Sequence, residues 1–105
     1  LAGADGADSN AVRLRARIAA REALRYTPAG VPVLGMTLEH QSRAMEAGVP
    51  RIVDLTIEAV AIGKVALALD RVETGRTLTV GGFLANLSKR STRAVLHVNE
   101  FELEQ

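Results

Sequence analysis

The sequence predicts a small all-β barrel, and three observations predict it. Apolar and polar residues alternate with a period of two over most of the chain. Glycine and proline interrupt that alternation at intervals suited to hairpins. Only one short segment has helical spacing. With 105 residues there is room for one domain and not two.

Residues 1–9 (LAGADGADS) are small, polar and glycine-rich, and are expected to form a disordered arm ahead of a single domain over residues 10–105. From Val12 the apolar set is Val12, Leu14, Ala16 and Ile18. Arg13, Arg15 and Arg17 fall on the other side, so this is a half-buried first strand. The cluster Pro28-Ala29-Gly30-Val31-Pro32 then reverses the chain, with Pro28 fixing φ and Gly30 free to take a positive one. Arg25 and Tyr26 stand at the mouth of that turn, where a barrel can grip a ligand.

Val33 to Ser42 reads as the second strand, with Leu34, Met36 and Leu38 alternating against Val33, Gly35, Thr37 and Glu39. Gly35 inside it is expected to mark a bend or bulge. Arg43 to Pro50 is polar and is expected to be a hairpin loop, with the third strand running from Arg51 to about Val60. Ala61 to Asp70 is the helix-like segment, Ile62, Val65, Ala66 and Leu69 forming its apolar face. Arg76 to Leu87 is the fourth strand, with Leu78, Val80 and Phe83 expected inward and a kink at Gly81-Gly82. Ser88 to Thr92 is a basic loop. Arg93 to Leu103 is the fifth strand, with Val95, His97, Asn99 and Phe101 on one face.

Three strands, a short helix and two further strands is the order of the OB-fold. That fold is a five-stranded Greek-key barrel that binds oligonucleotides or oligosaccharides.

Composition narrows the function. The chain has no cysteine, so thiolate metal sites and disulfides are excluded. His40 and His97 are far apart in sequence, each without a spaced partner, and no metal or cofactor is expected. No nucleophile–base pair, phosphate loop or framed carboxylate pair is present, so an enzyme is not expected. No apolar run is long enough for a membrane-spanning helix. Net charge is only +1, but basic residues cluster. Arg13, Arg15, Arg17, Arg21 and Arg25 crowd the first strand and its exit, and Arg76, Lys89, Arg90 and Arg93 lie in a stretch without acids. Such patches suit a modest polyanion binder; the plainer alternative is that each arginine simply keeps the surface soluble.

Several segments carry a more specific likeness. Arg25-Tyr26-Thr27-Pro28-Ala29-Gly30-Val31-Pro32 resembles the first hairpin of the bacterial single-stranded-DNA-binding family. The likeness sharpens in Thr37-Leu38-Glu39-His40-Gln41-Ser42, in Glu46-Ala47-Gly48, in Thr79-Val80-Gly81-Gly82-Phe83 and in Val95-Leu96-His97-Val98-Asn99-Glu100-Phe101-Glu102-Leu103. Together they resemble the primosomal replication protein N (PriB) family from about Asn10 onward. The resemblance implies a homodimer of OB-folds in the bacterial cytoplasm, associated with the nucleoid. Such a dimer binds single-stranded DNA, stabilises the restart helicase PriA and helps recruit the primosomal protein DnaT. The sequence closes on Phe101-Glu102-Leu103-Glu104-Gln105 without the acidic tail of replicative single-strand-binding proteins, which favours the primosomal reading. The alternatives are a general, tetrameric single-strand binder and an OB module that contacts proteins and has lost most of its DNA face.

On this resemblance the nucleic-acid-binding candidates are Arg25, Tyr26, His40, Arg43, Arg51, Lys89, Arg90 and Arg93. Lys89, Arg90 and Arg93 match the family's basic loop in kind. Arg25 matches a basic position of the first hairpin, and Arg51 one early in the third strand. His40 and Arg43 lie near the loop between strands two and three, where the family also touches DNA. Stacking groups are scarce. There is no tryptophan, Phe83 and Phe101 are assigned to the core, and Tyr26 is the one stacking candidate. Val49 and Asp54 align where the family can carry an aromatic. The expectation is weak, mostly electrostatic binding of single-stranded DNA. The outward row of Arg13, Arg15 and Arg17 could deter edge pairing, bridge a dimer or extend the DNA path.

Overall fold

A computed structural model of the chain describes residues 8–105. The expected arm therefore lies outside the described residues except for Asp8 and Ser9, which are exposed. The elements are β1 (Val12–Arg21), β2 (Arg25–Tyr26), β3 (Pro32–Glu46), β4 (Val49–Ile62), α1 (Lys64–Leu69), β5 (Thr77–Asn86) and β6 (Ala94–Leu103). The sheet order is β1-β5-β6-β4-β3-β2, and β1 pairs with β3 as well, which closes the barrel. All neighbours are antiparallel except β4 and β6, which run parallel. This is the predicted five-strand OB barrel, with β2 an added two-residue strand on the edge of β3.

The alternation read from the sequence sets the core. Ala16 and Ile18 of β1, Leu34, Met36 and Leu38 of β3, and Ala59 and Ala61 of β4 are buried together. Leu78 and Val80 of β5 and Leu96 and Val98 of β6 join them. Each fully buried leucine contributes about 1.5–3 kcal/mol through the apolar surface it removes from water. Ala66 and Leu69 of α1, with Val72 beyond it, pack into the same cluster. Arg21 anchors α1 from outside, donating to the Leu69 carbonyl at 3.3 Å and to that of Val72.

Four expectations are corrected. First, residues 43–50 are not a loop. β3 and β4 stay in unbroken register from Val33↔Ile62 to Glu46↔Val49 and turn only at Ala47-Gly48. Both turn residues have positive φ, 53° and 78°, the requirement of a tight two-residue hairpin. The outer part of this ribbon is largely exposed on both faces, so it lacks the buried alternation that marks a strand in sequence.

Second, the helix is shorter than expected. Ala61 and Ile62 continue β4, because Ala61 is needed in the core; Gly63, at φ 92°, then turns the chain into α1. Third, Phe83 is not a core residue. It lies on the outer face of β5, 37% exposed, its ring stacked on His97 with centroids 5.0 Å apart.

Fourth, His97 and Phe101 do not share a face. Gly82 pairs with Val98 but Gly81 pairs with Glu100, so Asn99 is an extra residue in β6. The bulge reverses the alternation and turns Phe101 toward the core. Gly82 permits it: a Cβ there would collide with the His97 carbonyl and come within 3.1 Å of Val98 Cα. At Gly35 the β3–β4 register is unbroken; the irregularity between β1 and β3 falls between Ile18 and Ala20, opposite Leu38 and Thr37.

Candidate nucleic-acid interface

Residues directly opposite in a ladder share a face, and this sorts the candidates. On the outer face of the β3–β4 ribbon the pairs are Gly35↔Val60, Thr37↔Glu58, Glu39↔Thr56, Gln41↔Asp54 and Arg43↔Ile52. The same face carries Val33, Val60 and Val95, a small buried cluster separate from the main core. Above it lies a groove of about 520 Å³. Its floor includes Gly35, Val60 and Val95. The β1–β3 connection supplies Glu22 and Arg25 on one rim, and Leu87 and Arg93 come from the β5–β6 side. This is the strand face, flanked by two loops, on which OB-folds hold oligonucleotides and oligosaccharides.

Arg25 is placed here by β2. It pairs with Val33, so its side chain shares the groove face, while Tyr26 pairs with Pro32 and belongs to the opposite face. The turn therefore separates the two residues that the sequence put together, and Tyr26 is 59% exposed outside the groove. The turn itself is held by Thr27: its amide donates to the Val31 carbonyl at 2.9 Å, and its hydroxyl accepts from the Val31 amide at 3.1 Å.

The remaining candidates are dispersed. Arg93 lines the groove and contacts Glu58 at 3.2 Å. Arg43 lies farther along the same outer face. Arg51 pairs with Ala44 on the reverse of the ribbon, where it binds Glu46 at 2.6 Å. Lys89 and Arg90 are exposed on the β5–β6 loop, which is shaped by Ser91: its amide donates to the Ser88 carbonyl and its hydroxyl accepts from the Arg93 amide, both at 3.1 Å. His40 is held on the core-side face of β3. Its ring nitrogens lie 2.6 Å from the Arg15 carbonyl and 2.8 Å from the Ser42 hydroxyl, so it ties β1 to β3 at the barrel seam.

Charge pairing distinguishes the cations further. Arg25 contacts Glu22 at 3.5 Å, and Arg17 is bound to Glu39. Arg15 binds Glu104 through two hydrogen bonds, at 2.6 and 2.8 Å. That pairing raises the Arg15 pKa and lowers that of Glu104, each chiefly through the shared hydrogen bonds. Among the described residues, Arg43, Lys89 and Arg90 are the candidate cations without a carboxylate partner. Asp54 accepts a hydrogen bond from Gln41 at 3.0 Å. No group of three or more His, Cys, Asp or Glu able to hold a metal occurs among the described residues.

Two acids and the apolar floor were not among the sequence candidates. Glu58 and Val60 could have been found by extending the alternation of β4, since they share the parity of Asp54. Glu22 had no such signal, because its place depends on the path of the chain between β1 and β2.

The model of a family described as "Another single-strand binding protein family" matches residues 10–100. The replication restart protein PriB of Bordetella pertussis is 45% identical over 91 residues, covering 87% of this chain and 85% of that protein. The chain belongs to the PriB family. PriB of Neisseria gonorrhoeae is 38% identical over 94 residues, covering 90% of this chain and 93% of its own. A crystallised PriB of Ralstonia solanacearum superposes with a TM-score of 0.84 at 39% identity, over 92% of this chain and 99% of that one. A deletion mutant of the single-stranded DNA binding protein from Thermus aquaticus has the same fold, with a TM-score of 0.74 at 24% identity, over 92% of this chain and 51% of that one. The PriB barrel and its flanking loops thus span most of the sequence described above.

Proposed function

We propose that this PriB-family protein binds single-stranded DNA in the groove between the β1–β3 and β5–β6 connections and acts in replication restart. The observation that carries the reading is the groove: an apolar floor at Val60 and Val95, with guanidinium groups at Arg25 and Arg93 on its rims. Bases need an apolar surface and phosphates need cations, and one groove is lined by both. Lys89 and Arg90 extend the cationic path from the Arg93 rim, and Arg43 extends it along the ribbon. No aromatic residue lines the groove, so base stacking contributes little and phosphate contacts dominate. Tyr26, His40 and Arg51 stand outside the core of this site.

We further propose that the protein works as a homodimer, steadies the restart helicase PriA on DNA and aids recruitment of DnaT. The test is fluorescence anisotropy with a labelled single-stranded oligonucleotide, with and without PriA, on the wild type and on a Lys89→Glu/Arg90→Glu/Arg93→Glu variant. Loss of DNA binding with the helicase contact intact supports the reading. Loss of the helicase contact alone favours a protein-interaction module.

A further inference from the structure

The groove holds two carboxylates, and each already has a guanidinium partner. Glu58 stands on the outer face of β4, opposite Thr37, with Arg93 reaching it from the loop side at 3.2 Å. Glu22 is fixed by its backbone: its amide donates to the Gly35 carbonyl at 2.9 Å. Its side chain lies over Gly35, where a Cβ would come within 2.9 Å of the Glu22 Cδ; Arg25 meets the carboxylate at 3.5 Å. The two rim arginines are thus both occupied by acids of the protein itself.

A carboxylate and a phosphodiester compete for the same guanidinium donors, since both present paired oxygens to its fork. The partners here are largely solvent-exposed, 57% and 72% for Arg25 and Glu22 and 61% and 50% for Arg93 and Glu58. Exposed pairs contribute little to the fold and exchange partners readily. Resting on the DNA-binding reading above, we infer that Glu22 and Glu58 are resident anions that compete with the polynucleotide backbone. They hold Arg25 and Arg93 in the absence of DNA, and entering phosphates must take the carboxylates' place. Once displaced, the same carboxylates remain beside the phosphate path and repel it. The two acids thereby lower the affinity that the arginines alone would give.

The test compares Glu22→Gln, Glu58→Gln and the double variant with Glu73→Gln, which removes an exposed acid that does not line the groove. Binding of labelled oligothymidylate is measured at low salt; thymine has no exocyclic amine, so hydrogen bonding from base amines to the carboxylates is excluded. Each groove variant is expected to bind about threefold more tightly than wild type and the double variant about tenfold, with Glu73→Gln changing affinity by less than about 1.5-fold. In an Arg93→Gln background the gain from Glu58→Gln should shrink to the relief of repulsion alone, since no guanidinium is left for Glu58 to release. Unchanged or weaker binding by both groove variants overturns the inference, as does a gain that Glu73→Gln matches or that is undiminished by loss of Arg93. If the wild type and every variant fail to bind at any salt concentration, the DNA-binding reading itself falls, and the inference with it.

Discussion

Removing Lys89 and Arg90 together should flatten the salt dependence of DNA binding by a calculable amount. Arg43, Lys89 and Arg90 are the candidate cations without a carboxylate partner among the described residues, so on the proposed DNA path they would meet phosphates without first giving up an internal partner. Single-stranded DNA loses about 0.7 counterion per phosphate neutralised, so three such contacts give a log–log slope near −2. Between 50 and 200 mM salt that slope weakens binding roughly 20-fold. In a Lys89→Gln/Arg90→Gln variant only Arg43 remains of the three. The slope should then fall to about −0.7 and the same change in salt should weaken binding only about threefold. Arg25 and Arg93 alter these figures little, because an arginine that leaves a carboxylate for a phosphate exposes one anion as it covers another. The assay is an anisotropy titration of a short oligothymidylate at four or five salt concentrations. An equal slope for wild type and variant would refute the assignment of the β5–β6 loop to the phosphate path. A wild-type slope near zero would refute an electrostatic mode altogether.

Leu38→Ala, which opens a hole in the closed core, should cost about 2–5 kcal/mol in chemical denaturation. Phe83→Ala should cost about 1–3 kcal/mol, from the part of its ring removed from water together with its stack on His97. Gly82→Ala places a methyl against the backbone of β6 and should destabilise by more than about 3 kcal/mol, read as a large drop in the denaturation midpoint. Glu104→Gln should lower the melting temperature at neutral pH, and the difference from wild type should vanish in acid. Folding lowers the Glu104 pKa through Arg15, so its contribution is complete above the ordinary glutamate value of about 4.3 and is lost as pH falls through the lowered one. A melting difference that widened with acid would contradict that pairing.

The fold was legible wherever a strand has one wet and one dry face. Ile18, Leu34, Leu38, Leu78 and Leu96 announce themselves by alternation, and every one is fully buried. The pattern fails where that asymmetry ends. Residues 43–50 project beyond the barrel, so no dry face marks them as strand. Asn99 adds one residue to β6 and reverses the parity of everything after it, which a period-two reading cannot anticipate. The site was legible in its kinds of residue more than in its partners. Arg25 and Arg93 were identified from sequence and line the groove, but Glu22 and Glu58 meet them only through the folded path of the chain. Tyr26 and His40 illustrate the converse: each is close in sequence to groove residues and is turned away by strand parity.

The two ladders of β1 bear on the order of folding. The β3–β4 ribbon joins residues near in sequence at its tip and can zip inward from Ala47-Gly48. β1 instead meets β5 through pairs such as Val12↔Gly82 and Arg17↔Thr77, about 60 to 70 positions apart, before it crosses to β3. Closing so long a loop is entropically costly until the partner strands are in place. The strand that opens the described domain is therefore the clasp that shuts it. Hydrogen exchange should show the amides of its β5-paired part, residues 12–17, gaining protection late in refolding, after those of the ribbon.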